Sequence, residues 1–430
     1  QGYSSAASDV YKRQLEDCLR IGIDNNLSLE GKRKEIQKSK YGVSENRSKL
    51  LPQITVIAGY NNNFDPPVSV TDGSSYGVPY NITKTLQHTA NAGLEMQMPL
   101  FNQTLYTSMS IAKVMEEISR LSYGKAREDI IMQISKMYYL GQVTAEQIVL
   151  IKANITRLEE LRDITQAFFD NGMSMEVDLK RVNINLENLK VQYDNAQAMM
   201  KQQLNMLKYI MDYPAEKEFV LTPVNTDSIT TVALTGLSEN IYELQLSQSQ
   251  VQLAEKQKKI ISNGYIPSLS LTGSWRYAAY TDKGYHWFHS GPSNHWFRSY
   301  GLGLTLRIPI FDGLDKTYKI KKAMIDIENS KLAWENARKS LQTQYLNAVN
   351  DLMNNQRNFK KQKDNYLLAE DVYTVTSDRY REGIASMTEV LQDEMQMSEA
   401  QNNYISAHYN YRITNLMLLK LTGQIESLVK

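Results

Sequence analysis

Residues 89–102 read TANAGLEMQMPLFN. Ala90, Ala92, Leu94, Met96 and Met98 share one parity, and Thr89, Asn91, Gly93, Glu95 and Gln97 share the other. Period two sends each set to its own face of a β-strand. The alternation stops at Pro99-Leu100-Phe101, and a helical pattern starts at Gln103. Three further segments alternate in the same way. Ile54, Val56, Ala58 and Tyr60 oppose Gln53, Thr55 and Gly59. Leu269, Leu271, Trp275 and Tyr277 oppose Ser268, Ser270, Thr272, Ser274 and Arg276, and Leu302, Leu304, Leu306 and Ile308 oppose Gly301, Gly303, Thr305 and Arg307.

Each run is about ten residues or more, enough to cross a bilayer when tilted. A half-buried sheet in water gives the same alternation. Two details favour the membrane. Glu95, Arg276 and Arg307 all fall on the polar parity, and Phe64, Tyr265, Tyr280, Tyr300 and Phe311 collect at the strand ends like an interfacial girdle. Four strands cannot close a barrel, and an open edge in lipid leaves backbone groups unpaired. The chain is therefore expected to share a barrel with copies of itself. Two copies give eight strands, whose interior side chains fill, and three give twelve, wide enough to hold water.

The helices point the same way. From Gln103 to about Phe169 there is no proline, which predicts roughly 100 Å of helix, and the second half repeats the pattern from about Leu314 to Tyr380. Between Glu176 and Met211 the positions Leu179, Val182, Leu186, Leu189, Tyr193, Ala196, Met200 and Leu207 form a coiled-coil seam. Ala323, Ile327, Ser330, Trp334, Ala337 and Leu341 do so in the second half. Gly172 and Gly383 each end a long helix just before another. Glycine there supplies the left-handed conformation of a helical hairpin, so two tips are expected about 100 Å from the strands.

The halves share one plan. Leu51-Pro52-Gln53-Ile54 pairs with Ile266-Pro267-Ser268-Leu269, Met98-Pro99-Leu100-Phe101-Asn102 with Ile308-Pro309-Ile310-Phe311-Asp312, Phe169-Asp170-Asn171-Gly172 with Tyr380-Arg381-Glu382-Gly383, and Leu207-Lys208 with Leu419-Lys420. The expected organisation is an internal duplication. Repeat 1 covers 15–211, with strands at about 51–64 and 88–100, a long helix at 103–169 and a return helix at 176–211. A linker covers 212–238, broken by Pro214 and Pro223. Repeat 2 covers 239–430, with strands at about 265–281 and 299–310 and helices at 314–380 and 386–423. The fold class expected from these elements is a mixture of long α-helical coiled coils and a transmembrane β-barrel to which each protomer gives four strands.

Composition closes off other classes. Among 430 residues, 48 Lys and Arg balance 47 Asp and Glu, so no excess charge argues for nucleic acid. No run of about 18 uncharged apolar residues provides a transmembrane helix. The 27 tyrosines suit interfaces that are apolar at one end and wet at the other. The single cysteine, Cys18, excludes an intrachain disulfide. Leu15, Glu16 and Asp17 before it lack the small apolar run that lipidation needs, so Cys18 reads as a buried helical residue. Ser4–Gln14, SSAASDVYKRQ, reads as the translation of a common transposase sequencing adapter, and residues 1–14 are expected to be a scar rather than native protein.

With these residues in view, the chain resembles the TolC-like outer-membrane efflux protein family, as a Bacteroidetes-like member. The resemblance rests on Pro99-Leu100-Phe101 and Pro309-Ile310-Phe311 leading into long helices, and on the tip run from Tyr380 through Gly383 to Leu391. It also rests on the tail Ala407-His408-Tyr409-Asn410-Tyr411 with Leu419-Lys420-Leu421-Thr422-Gly423, and on Leu15-Glu16-Asp17-Cys18 followed by Asn25-Asn26. It covers nearly everything from Leu15 onward. It implies a homotrimer with a twelve-stranded barrel in outer-membrane lipid and a twelve-helix periplasmic tunnel. It further implies docking of the helical tips, here Gly172, Gly383, Asn171, Met173, Ile384 and Ala385, onto a periplasmic adaptor protein and an inner-membrane pump. The family closes its tunnel near the tips with inward acidic residues. The first such position falls on Glu389 and the second on Gln392, which is not acidic, with Asp393 beside it. Tyr380 matches a tyrosine that holds the closed state, and Asp178 is the first-half equivalent of Glu389. Glu95, Arg276 and Arg307 would face the barrel lumen.

Copies of Glu389 around a narrow axis would repel one another and favour cations. The alternative is a solvated charge on a helix surface. His286, His289 and His295 could suggest a metal, but their setting among Trp287, Phe288, Trp296 and Phe297 reads as an aromatic external loop. Acidic residues elsewhere read as solvated helix faces. No catalytic constellation stands out, so neither an enzyme nor a cofactor is expected. Three functions stay open at this point: a passive exit duct of a tripartite pump for drugs or metabolites, a type I secretion exit duct for peptides or proteins, and a periplasmic coiled-coil scaffold.

Overall fold

The computed structural model describes residues 12–84, 86–222, 236–281 and 296–429. The order is β1 (Lys12–Arg13), α1 (Leu15–Asn25), α2 (Leu27–Ser48), β2 (Gln53–Asn62), β3 (Val68–Asp72), β4 (Tyr80–Lys84), β5 (His88–Phe101), α3 (Gln103–Asp170), α4 (Glu176–Met211), β6 (Val220–Leu221), α5 (Tyr242–Asn263), β7 (Ser268–Thr281), β8 (Trp296–Arg307), α6 (Asp315–Arg381) and α7 (Met387–Leu421). No helix among the described residues is long and apolar enough to cross a membrane. The chain divides into two compact units. One holds residues 1–36, 118–248 and 332–430, and the other holds 37–117 and 249–331.

The second unit carries one antiparallel sheet in the order β2-β5-β7-β8. Its register sets Ile54 opposite Met96, Leu94 opposite Trp275 and Trp275 opposite Tyr300, so the apolar parities of all four strands share a face. That face is open: Val56 is 73% exposed, Leu302 80% and Tyr300 77%. Three details differ from the alternation as read. The fourth strand lies at 296–307 rather than 299–310, because Pro309 has no N–H for the ladder. The earlier start puts Arg298 on the apolar parity, where its guanidinium lies 5.9 Å from the Tyr300 ring centre. Tyr280 falls on the polar parity, with its ring 6.2 Å from that of Phe297, and so does not belong to a girdle on the apolar face. The segment between β2 and β5, outside the four alternating runs, contains the hairpin β3–β4. Its turn is shaped by Asp72, which accepts from the Ser74 N–H at 2.9 Å, and by Gly77 at φ 70°.

The first unit is helical. Cys18 is fully buried in α1, in a cluster with Leu19, Ile131, Ile134, Leu207 and Met211. The helical run breaks at Asn26, whose Oδ1 accepts from the Leu29 N–H while its Nδ2 donates to the Ile210 carbonyl. The side chain thus caps α2 and ties it to α4. On α4, Val182, Leu186, Leu189, Ala196 and Leu207 are buried, the inner seam of that helix. On α7 the buried stripe runs Met387, Val390, Glu394, Met397, Gln401, Tyr404, His408, Tyr411, Asn415 and Leu418, so from Glu394 to Asn415 a polar residue recurs every seven residues along it.

α3 and α6 end the same way. Gly172 (φ 71°) donates to the Phe169 carbonyl and Met173 to that of Phe168; Gly383 (φ 73°) donates to Tyr380 and Ile384 to Arg379. This pair of bonds satisfies the last carbonyls and requires a left-handed residue, which glycine adopts without a Cβ clash. α4 ends likewise on Asp212 (φ 51°), at some strain for a residue with a side chain.

Candidate functional site

The residues singled out in the sequence gather at two places: the helical tips in the first unit and the polar sheet face in the second.

At the tips, Tyr380 is buried, its ring 5.6 Å from that of Phe168 and its hydroxyl donating to Thr165 Oγ1 at 3.3 Å. Burial pushes that phenol up from its ordinary value. Arg381 reaches Glu160 at 3.3 Å, and Arg157 pairs with Glu370, so α3 and α6 are joined by charge as well as by packing. Arg181 bridges Asp178 (3.2 Å) and Thr388 (3.4 Å), linking α4 to α7. Asp178 is therefore half-buried and paired.

Glu389 sits at the third position of α7 and closes a capping box with Ser386. Its carboxylate accepts from the Ser386 N–H at 2.7 Å and from the Ser386 hydroxyl at 3.0 Å, and its own N–H donates back to that hydroxyl. These bonds, the backbone one first, hold the carboxyl below its ordinary value. The helix start thus accounts for this acid locally. Gln392 is exposed, and Asp393 is half-buried in a shallow groove of about 250 Å³ beside Leu368 and Val372. Around the turns, Met173, Met175 and Ile384 are each more than 60% exposed. Asn171 donates to the Ala167 carbonyl, and Ala385 packs inward. Gly172 and Gly383 face open space.

Sequence reasoning missed the buried ionisable groups. Glu394 is 5% exposed, has one carboxyl oxygen without a partner and is held above its ordinary value by burial. His408 is fully buried; Arg412 donates to its Nε2 at 2.9 Å, and Glu146 lies 3.4 Å from its Nδ1. Glu128 is 4% exposed and pushed up to about 7. Burial is the largest cause, the carboxylates of Glu426, Asp129 and Glu243 add to it, and Lys420 opposes them. Acids on these helices are therefore not all solvated faces. The seven-residue spacing of Glu394, Gln401, His408 and Asn415 was the available signal, since polar residues on a seam position are inside.

In the sheet, the face opposite the exposed apolar one is concave and polar. A hollow of about 630 Å³ is lined by Thr55, Glu95, Gln97, Thr272, Ser274 and Arg276, among others. Arg276 and Glu95 form an ion pair across β5 and β7, both sides partly solvated. Arg307 lies on the same parity and makes no ion pair among the described residues. β2 and β8 each have one edge without a partner strand among the described residues. Among the described residues no cluster could hold a metal, and His286, His289 and His295 lie outside them.

This sheet and these helices have counterparts of known structure. The chain superposes on the outer-membrane channel OprN with a TM-score of 0.78 (15% identity, 95% of this chain and 90% of that one). On CusC the TM-score is 0.79 (15% identity, 96% and 92%). Among sequences, it is 20% identical to the outer membrane protein TolC of Vibrio cholerae serotype O1, over 97% of this chain and 92% of that protein. It is 23% identical to the probable efflux pump outer membrane protein TtgC of Pseudomonas putida, over 83% and 75%. The family model for outer membrane efflux proteins matches residues 21–211 and 226–424, nearly the whole of both halves. The sheet with one apolar and one polar face, the paired long helices and this match lead to one conclusion: the chain belongs to the outer membrane efflux protein family.

Proposed function

We propose that this chain is one protomer of a homotrimeric, passive outer-membrane exit duct that exports small molecules such as drugs or metabolites. The observation that carries this reading is the four-stranded sheet with an exposed apolar face, a polar concave face and two unpaired edges. In lipid such edges must be closed, and twelve strands from three copies leave room for water where eight do not. A second exposed seam supports assembly. On α6, Tyr318, Ile325, Leu332, Leu346, Met353 and Leu367 recur every seven or fourteen residues, each at least half exposed. A heptad stripe left bare on one chain is a surface for another helix.

In this reading the sheet sits in the outer membrane, the helices stand in the periplasm, and the internal duplication gives each copy two helical hairpins for the tunnel. Gly172, Gly383, Asn171, Met173, Ile384 and Ala385 meet a periplasmic adaptor, which connects to an inner-membrane pump. Tyr380, Asp178, Glu389, Gln392 and Asp393 form the tip gate. Because the Glu389 carboxylate is engaged in its cap, Asp393 is the acid left for the tunnel. Glu95, Arg276 and Arg307 line the lumen. The chain itself catalyses nothing.

The test is mass and transport together. Detergent-extracted protein should run as a trimer, and Leu346→Glu should shift it to monomer. Deletion of the gene should raise susceptibility to small toxic compounds. A freely soluble monomer would overturn the duct reading, and loss of one exported protein without any change in susceptibility would favour the secretion reading instead.

A further inference from the structure

We infer that Arg298 and the aromatic rings around it form a binding site, on the outside of the barrel wall, for the phosphate of an anionic lipid headgroup in the outer leaflet. The inference rests on the duct reading, since it takes the apolar sheet face to meet lipid.

Among the described residues of the four strands, Arg298 is the one Asp, Glu, Lys or Arg on the apolar parity. Its height on the wall decides what that charge meets. β8 runs from Trp296 to Arg307 and leads into α6, which the duct reading stands in the periplasm, so Trp296 marks the outer end. The stretch from Arg298 to Arg307 is about 30 Å of strand, or about 23 Å of height at the usual tilt, close to the full apolar band of a barrel. Between them Leu302, Leu304 and Leu306 lie exposed on the same face as Arg298. Arg298 therefore stands at headgroup depth, just beyond the hydrocarbon.

The surroundings suit a phosphate. Tyr277 lies opposite Arg298, and Trp275 lies opposite Tyr300. The guanidinium is 5.9 Å from the Tyr300 ring centre, and the rings of Trp275 and Tyr277 meet edge to face at 5.5 Å. Tryptophan and tyrosine settle at the level of lipid headgroups. A ring beside the planar cation fixes its place and leaves its N–H fork to bind two oxygens of one phosphate. A neighbouring copy would bond along the edge of β8 and leave this face toward lipid. The strand it would bring is β2, the other edge of the sheet, which has no Asp or Glu between Gln53 and Asn62 to compete for the arginine.

The probe is lipopolysaccharide, with the same material dephosphorylated as the control. Each is titrated onto detergent-solubilised protein, and the dissociation constant is read. The wild type should bind the phosphorylated form about ten-fold more tightly, the size of one charge-assisted contact. Arg298→Gln should lose that margin, and Arg298→Lys, which keeps the charge without the fork, should keep only part of it. Equal binding of the two forms by the wild type, or an unchanged margin in Arg298→Gln, would overturn the inference and leave the duct reading standing. So would full displacement by an equal concentration of inorganic phosphate, which would make the ligand a free anion rather than a lipid. Should Arg298→Gln fail to fold, Arg298→Lys decides, since a margin equal to the wild type's overturns the inference. A chain that stays monomeric in solution without detergent would overturn the duct reading as well.

Discussion

Replacing Glu128 with glutamine should stabilise the protein, and only above acidic pH. The carboxyl is enclosed on α3 near Lys420, Asp129, Glu243 and Glu426, and is pushed up from its ordinary 4.5 to about 7. Below about pH 4.5 both folded and unfolded chains hold the proton, so the site costs nothing there. As pH rises toward 7 the unfolded chain releases the proton while the folded chain keeps it, and stability falls throughout that window. At roughly 1.4 kcal/mol per pH unit the full loss is about 3 kcal/mol, complete above pH 7. Glutamine keeps the shape and never ionises, so it removes the loss. At about 2 cal/mol/K of unfolding entropy per residue, a chain of this length should gain about 4 °C at pH 8. The assay is the helical circular dichroism signal of detergent-solubilised protein, melted at pH 4.5, 6 and 8. A gap between variant and wild type that does not change with pH would refute the argument, as would a variant that melts lower at pH 8.

Three further outcomes follow from local geometry. Gly383→Ala forces a Cβ into the left-handed region at φ 73° and should cost about 1–2 kcal/mol, with Gly383→Asn costing less; melts of the two variants check the order. Ser386→Ala removes the hydroxyl that caps α7 and should cost about 1 kcal/mol, read in the same melts. Gly93→Val should abolish folded protein in detergent, because its Cβ would lie 2.8 Å from Arg276 Cα and closer still to the Trp275 carbonyl oxygen; gel filtration of the refolded variant is the measurement.

Much of this architecture was legible because it is periodic. Alternation in 89–98 or 268–277 survives as two real faces because the β5–β7 register holds from His88 to Pro99 and shifts only between Pro99 and Phe101. The Leu179-to-Leu207 seam was readable because apolar residues at heptad spacing have few other places to go. What stayed hidden was polar. Glu394, Gln401, His408 and Asn415 read as solvated by type, and only their spacing marked them as interior. Glu389 was singled out through the family resemblance alone, and its capping role was legible too, since a serine three residues before a glutamate at a helix start is itself a capping signal. The β3–β4 hairpin was too short for periodicity to register, and its turn rests on one aspartate side chain. Arg298 escaped notice because a strand boundary moved by three residues adds a new position to one face.

The amide pair of Asn154 and Gln401, bonded at 2.7 and 3.4 Å and almost fully enclosed, has a consequence for how α3 and α7 can move. Two greasy ridges can slip past each other by one turn and still find grease. Here a slip would strand two amides in a dry cleft and carry Arg157 away from the Met397 sulfur. The two rods are keyed like a lock with one tooth: they can lean or twist at their ends, but they keep their place along their length.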